Sequence, residues 1–304
     1  MMPARIGVIA RRGRDPRAAP APSVRRARPL LGTLVDLRID GWSVAQAQPL
    51  LERAFAEVAA IHRLMSFHRR DSDLARLHRA RPGRVVRVDA RTHCVLDWAM
   101  RIAADSHGRF DPTVAAQQVA WGLLPRPARS CRPDPRANWG DIELVGARGV
   151  RLLRPLWIDL GGIAKGFAVD RALAILMDAG VPQACVNAGG DLRIAGPAAE
   201  IVYLRAAPEP LPLLELANGA VATSVTAHGA RDGRTAHGRH VDGTTRAAVA
   251  SRGESVSVAA STCLLADALT KVVLARRDAL TRHVLDRYGA QSRTLAASAI
   301  GAGA

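Results

Sequence analysis

Three stretches of the 304-residue chain combine residue types that bind or move charge. The first is Asp159-Leu-Gly-Gly-Ile-Ala-Lys-Gly166, read as the junction of a strand and a helix. Small residues there let a ligand approach the backbone, and free N–H groups at a helix start favour phosphate. Asp159 before the turn and Lys165 one turn into the helix can grip the two ends of a polar ligand. The competing reading is a tight strand-to-helix turn with Lys165 in solvent. A Walker loop is excluded by the spacing. The second stretch is Val186-Asn-Ala-Gly-Gly-Asp-Leu192, where paired glycines allow positive φ and Asn187 and Asp191 can fix ribose or phosphate. A plain hairpin turn uses the same residues. The third is Ala266-Asp-Ala-Leu-Thr-Lys271. Asp267, Thr270 and Lys271 share a helix face, and an Asp with a hydroxyl one turn later suits an oxygen-ligand Mg²⁺ site. An ordinary Asp–Lys helix pair, worth about 0.3–0.5 kcal/mol, is the alternative.

The elements that must position these residues follow from hydrophobic spacing. Leu31, Thr33, Val35, Leu37 and Ile39 alternate, which predicts a strand. Apolar residues at helical spacing from Ser43 to Met65 predict an amphipathic helix. A second helix is expected from about Arg91 to Ser106, closed by Gly108. The apolar run Leu156–Leu160 leads into Gly161-Gly162 and a helix that stops at Gly180. Cys185 to Ala195 reads as two strands joined across a Gly-Gly turn. Further strands are expected near 201–205, 219–223 and 255–260, then a helix from about Thr262 to Arg276. Residues 124–150 are rich in Pro and Arg, with short strands at best. Residues 1–27 read as a disordered basic arm, 28–288 as the domain and 289–304 as a flexible tail.

Composition narrows the class. The chain is 48% hydrophobic and 23% charged, which excludes a disordered or fibrous protein. The net charge is +16, of which residues 1–29, with eight Arg and one Asp, carry +7. Of 43 basic residues only Lys165 and Lys271 are lysines. So strong an Arg bias points to coding preference rather than to a phosphate-binding surface. Aromatics are only 4%, too few for base-stacking platforms, so no specific nucleic-acid partner is expected. Where such a chain keeps Lys, a compact ammonium is what the position calls for. Cys94, Cys131, Cys185 and Cys263 form no CxxC pair, which argues for free thiols over zinc or disulfides. No signal sequence, lipid-anchor cysteine or membrane span is visible, and a cytoplasmic location is expected.

Taken together and in order, these motifs resemble the FAD:protein FMN transferase family, also called the ApbE family. The resemblance covers about residues 28 to 276. It runs through Leu31-Gly-Thr33, Met65 to Leu77, Gly108-Arg-Phe-Asp-Pro-Thr-Val114 and Trp121-Gly122. Ile158 to Gly166, Val186 to Asp191, Ala222-Thr-Ser224, His240 and Ala266-Asp-Ala-Leu269 complete it. It implies a single α/β (α+β) domain of the T-fold-like type, with mixed sheets flanked by helices and a central FAD cleft. The implied reaction moves the FMN half of FAD onto a Thr or Ser hydroxyl of an acceptor protein and releases AMP. His240 is the implied base, because a hydroxyl needs one and imidazole is neutral near pH 7; His237 lies close by and could serve instead. Asp267 would hold Mg²⁺ on the pyrophosphate, helped by the backbone carbonyl of Gly162. The implied FAD contacts are Leu31, His68, Phe110, Asp111, Asp159, Lys165, Asn187, Asp191 and Val241.

The chain departs from the family's pattern at three places. Lys271 stands where the family commonly has a metal-ligating Thr, with Thr270 one place early. An ammonium cannot ligate a cation, so either Thr270 substitutes or Lys271 takes over part of the metal's charge. His68 replaces the usual Tyr. After His240 the chain reads Val-Asp-Gly-Thr-Thr-Arg, one residue shorter than the family's loop. The competing functions are an FAD-binding protein without turnover, an FAD pyrophosphate hydrolase, and a basic nucleic-acid-associated protein for which only the arm speaks.

Overall fold

A computed structural model of the chain describes residues 7–12, 22–205, 210–226, 240–250 and 253–296. The N-terminal half holds β1 (Gly7–Arg12), β2 (Ser23–Leu30), β3 (Thr33–Asp40), α1 (Val44–Met65), α2 (Asp73–Arg79), β4 (Val85–Arg87) and α3 (Ala90–Asp105). The middle holds α4 (Ala115–Ala120), β5 (Ile142–Val145), β6 (Gly149–Leu152) and α5 (Ala164–Asp178). After it come β7 (Gln183–Ala188), β8 (Asp191–Ala195), β9 (Glu200–Arg205), β10 (Leu211–Leu216) and β11 (Gly219–Val225). The chain closes with β12 (Ser255–Ala260), α6 (Cys263–Ala275), α7 (Ala279–Arg287) and β13 (Gln291–Leu295).

A seven-stranded antiparallel sheet in the order β13-β12-β11-β8-β7-β3-β2 forms the middle layer. Its strands alternate, so each face collects its own core. Val35, Leu37, Ile39, Val186, Ala222, Val256 and Val258 point to one face and pack with α1, α5 and α6. Cys185, Leu192, Ile194 and Val221 point to the other, where Val8, Val202 and Leu204 of the small sheet β1-β9-β10 cover them. A third sheet, β4-β6-β5, lies beside the helical layer. The result is a mixed α/β single domain with sheets flanked by helices.

Local chemistry explains the main elements. Ser43 caps α1 reciprocally with Gln46, and Leu50, Leu51, Phe55, Val58 and Ile61 make its buried stripe. The β7–β8 turn puts Gly189 and Gly190 at positive φ, and a Cβ on Gly189 would meet the Thr33 hydroxyl at 2.1 Å. That contact sets the β2–β3 turn against the β7–β8 turn at one end of the main sheet. Because Leu192 and Ile194 face the small sheet, Asp191 and Arg193 face α5, where they meet Lys165 and Asp170.

The structure differs from the sequence-based expectations in four places. Leu31 is not in a strand: Leu31 and Gly32 both have positive φ and form the turn of the β2–β3 hairpin. Residues 156–160 join no sheet. The Asp159 N–H donates to the Pro112 carbonyl at 2.8 Å and the Ile158 N–H to His78 Nε2 at 2.9 Å, so these groups are satisfied without a ladder. The basic arm is partly folded, since β1 pairs with β9 and β2 with β3; residues 1–6 and 13–21 lie outside the described residues. Arg25 pairs with Asp36, which consumes part of the arm's charge, and Arg28 just beyond the arm pairs with Glu52. In the tail, β13 pairs with β12, and residues 297–304 lie outside the described residues. Among the described residues no helix is long and apolar enough to cross a membrane.

Candidate active site

The site forms where the N-terminal ends of α5 and α6 meet the helix-facing side of β8 and β11. Close helix packing there depends on Gly166, whose added Cβ would fall 2.1 Å from the Cys263 carbonyl oxygen. Its N–H donates to Asp267 Oδ2 at 3.2 Å. Asp170, one turn further along α5, accepts from the N–H groups of Cys263 and Leu264 at 2.8 Å each. It thereby satisfies free donors at the start of α6 that the N-cap Thr262, which accepts from Leu265, leaves over. These bonds fix Lys165 and Asp267 relative to each other.

Two carboxylates and two ammoniums alternate in this corner. Lys165 pairs with Asp191 and lies 3.6 Å from Asp267 Oδ2. Lys271 pairs with Asp267 Oδ1, one helical turn back, and donates to the Asp267 carbonyl at 3.1 Å and to Ser224 Oγ at 3.2 Å. Asp267 is fully buried and Asp191 nearly so. Burial opposes charge on Asp267, but Lys165 and Lys271 outweigh it and hold its pKa below the usual carboxylate range. Asp191 is pushed up by burial and by neighbouring Asp267. Burial also works against the Lys165 charge, yet Asp191 and Asp267 raise its pKa overall.

His240 enters from the opposite wall on a tight loop. Val249 N–H donates to the His240 carbonyl, Val241 bridges Ala248, and Asp242 accepts from the N–H groups of Thr244 and Thr245. Gly243 lets this loop touch residues 108–109: a Cβ there would meet the Gly108 carbonyl at 2.1 Å. Arg246 locks the loop by pairing with buried Asp111 at 2.6 Å. Burial and then Lys271 lower the His240 pKa to about 4, so its ring is neutral near pH 7. The Val225 backbone hydrogen-bonds the ring. A neutral imidazole has one nitrogen that donates and one that keeps its lone pair.

A cavity of about 280 Å³ lies between these walls, lined by Phe110, Asp111, Gln118, Asp159, Gly162, Lys165, Ser224, His240, Val241 and Lys271 among others. Asp159 accepts from Gly161 N–H at 3.0 Å and is raised in pKa by burial. Asp111 is likewise raised by burial, with Arg246 opposing. Buried His78 holds the segment before Asp159, its ring kept neutral with a pKa lowered to about 4 by burial. Beyond the Asp111–Arg246 pair lies a second cavity of about 570 Å³, with Thr113, Trp157 and Arg126 in its wall.

The structure therefore brings together Phe110, Asp111, Asp159, Gly162, Lys165, His240, Val241 and Lys271, with Asp191 and Asp267 buried behind the lysines. Four residues of the sequence reading fall elsewhere. Leu31 sits in the β2–β3 turn and His68 is exposed between α1 and α2; neither lines the cavity, although His68 is near enough to act on the charge of Asp159. Asn187 is spent on the fold: its amide donates to the Val8 carbonyl at 2.6 Å and its oxygen accepts from Gly190 N–H. Thr270 is fully buried, donating to the Asp267 carbonyl at 2.7 Å and meeting Ser224 Oγ at 2.8 Å. The set Gly162, Asp267, Thr270 and position 271 does not fit Mg²⁺, which demands a near-octahedral shell of oxygens. Thr270 turns its hydroxyl inward, and an ammonium holds the Asp267 carboxylate. His237 lies outside the described residues. Sequence reasoning missed Arg246, Asp170 and His78: Asp111 is 135 residues from Arg246, Cys263 is 93 from Asp170, and Ile158 is 80 from His78.

Known proteins share this fold. A FAD:protein FMN transferase of Rhodobacter capsulatus is 32% identical over 190 residues, covering 59% of this chain but only 36% of that protein. One from Vibrio cholerae serotype O1 is 28% identical over 274 residues, 82% of this chain and 80% of the relative. The ApbE protein of Thermotoga maritima superposes with a TM-score of 0.78 at 24% identity, covering 91% of this chain and 96% of that one. The flavinyl transferase ApbE of Pseudomonas stutzeri gives 0.76 at 20%, covering 94% and 99%. At these identities the two structures speak for the fold. The model of the ApbE family matches residues 31–292, from the β2–β3 turn into β13, and the chain belongs to that family.

Proposed function

We propose that this protein transfers the FMN half of FAD to a Thr or Ser hydroxyl of an acceptor protein, with AMP as the other product. The observation that carries the reading is a neutral His240 facing Lys165 and Lys271 across one cleft. In the reaction the acceptor oxygen bonds to the FMN-side phosphorus and the phosphorus–oxygen bond to AMP breaks. The hydroxyl proton goes to the free nitrogen of His240. Charge that grows on the diphosphate is met by the two ammoniums, which the buried carboxylates hold in place. Phe110, Asp111, Asp159 and Val241 line the space around the ligand, and Asp159 offers a carboxylate for hydrogen bonds to it. The residues here do not fit Mg²⁺, so the positive charge at the diphosphate comes from Lys165 and Lys271. With water in place of the acceptor, the same machinery hydrolyses FAD to FMN and AMP.

The proposed partners are FAD and an acceptor protein, with no specific nucleic acid. A cytoplasmic location is supported by exposed free thiols at Cys94 and Cys131, which suit a reducing compartment. Mass spectrometry of a Thr-bearing acceptor protein incubated with FAD tests the reading. Covalent FMN on the acceptor with AMP in solution is expected. FAD recovered intact beside an unmodified acceptor would remove it.

A further inference from the structure

We infer that Lys271 is a built-in replacement for a divalent cation, so that the diphosphate chemistry at Asp267 runs without metal. The inference rests on the flavin-transfer reading for its substrate, but its structural basis is independent of it. Both oxygens of the buried Asp267 carboxylate are engaged: Oδ1 by the Lys271 ammonium, Oδ2 by Gly166 N–H at 3.2 Å with Lys165 Nζ at 3.6 Å. The Lys271 stem covers Gly162, for its Cε lies 3.3 Å from where a Cβ on that glycine would stand. Any ion bridging Gly162 and Asp267 would have to displace this side chain.

The charges close without a metal. Asp191 and Asp267 are balanced by Lys165 and Lys271, and a divalent ion added here would meet two ammoniums and an Asp267 carboxylate whose oxygens are both engaged. A diphosphate brings the anionic oxygens that the cluster lacks. Lys271 can reach it by giving up one neutral acceptor, Ser224 Oγ at 3.2 Å, while keeping the Asp267 carboxylate. The Lys271 side chain is 18% exposed and lines the cavity, so it is available to a ligand there. Lysine at this position does as a fixed point charge what a bound ion would do with its own.

The test uses the full chain in two arms. In the first, binding of Mn²⁺ is followed by electron paramagnetic resonance, without flavin. Wild type should bind no ion at micromolar Mn²⁺, whereas Lys271→Thr, which removes the ammonium and adds a hydroxyl, should bind one. A wild-type protein that binds one ion as tightly as the variant would overturn the inference. In the second arm, AMP release from FAD is measured in EDTA. Wild type should keep its full rate, and Lys271→Met should fall by about 10²- to 10³-fold with no rescue by Mg²⁺. Wild-type activity that vanishes in EDTA and returns with Mg²⁺ also overturns it, and this outcome does not depend on any variant folding. Absence of AMP release under every condition instead sinks the flavin reading, and the Mn²⁺ arm then still decides the role of Lys271.

Discussion

His240 shows how burial sets chemistry at the scale of one residue. An exposed histidine titrates near 6.5 and would be partly protonated in the neutral range. This one is lowered to about 4 by burial and by Lys271, and stays a free base. The kcat/KM profile should therefore be flat from pH 8 down to about 5, with no step near 6.5. Replacement by Ala should slow transfer by about 10²–10⁴ and leave FAD affinity within a few-fold, as rapid-quench kinetics and calorimetry would show. A step at 6.5 in wild type would place His240 in solvent. His78 has a similar pKa but a different task, since it accepts from Ile158 N–H and touches no ligand space. Its folded pKa is depressed, so its contribution is present above 6.5 and is lost as pH falls toward 4. That link is worth about 3 kcal/mol. His78→Gln keeps an acceptor for Ile158 and should flatten the loss of stability between pH 6.5 and 4 in urea titrations.

Among the elements, α5 and α6 decide the site, and their contact hangs on Gly166. An added methyl would overlap the Cys263 carbonyl and push α6 away. Gly166→Ala should destabilise the fold by about 1–3 kcal/mol and reduce activity beyond what that loss explains, because Asp267 moves off Lys165. Denaturant midpoints and kcat measured side by side check this; wild-type values in both would show that the helices repack freely. Much of this layer was legible in the sequence. The apolar stripe of α1 and the Gly-Gly turn between β7 and β8 announce themselves by type and spacing. The apolar run 156–160 reads as a strand but joins no sheet, because apolar runs look alike whether a ladder or a histidine satisfies them. The motifs single out Lys165, Asp267 and Lys271, which the fold brings together, whereas Arg246 and Asp170 carry no local signal. Their partners are distant in sequence, and nothing local marks an arginine as the lock of a loop.

On the scale of the whole molecule, the basic N-terminal stretch belongs partly to the fold. Its Arg-rich composition suggested disorder, but β1 completes the small sheet and buries Val8 against Leu192 and Leu204. Deleting residues 1–12 should therefore lower stability by about 2 kcal/mol or more, read as a fall in Tm. Turnover should survive, since β1 lies on the side of the main sheet away from α5 and α6. An unchanged Tm would return the stretch to the status of a free arm.

The central claim is that the cleft breaks FAD at its diphosphate, with His240 as base and the Lys165–Lys271 pair as the cation. Its most direct test is chromatographic separation of AMP, combined with intact-mass measurement of a Thr-bearing acceptor protein, for wild type and His240→Ala in parallel. The account predicts AMP and covalently bound FMN in equal amounts with wild type, and FAD bound but unbroken with the variant. Equal turnover by the two proteins, or intact FAD with both, would contradict it.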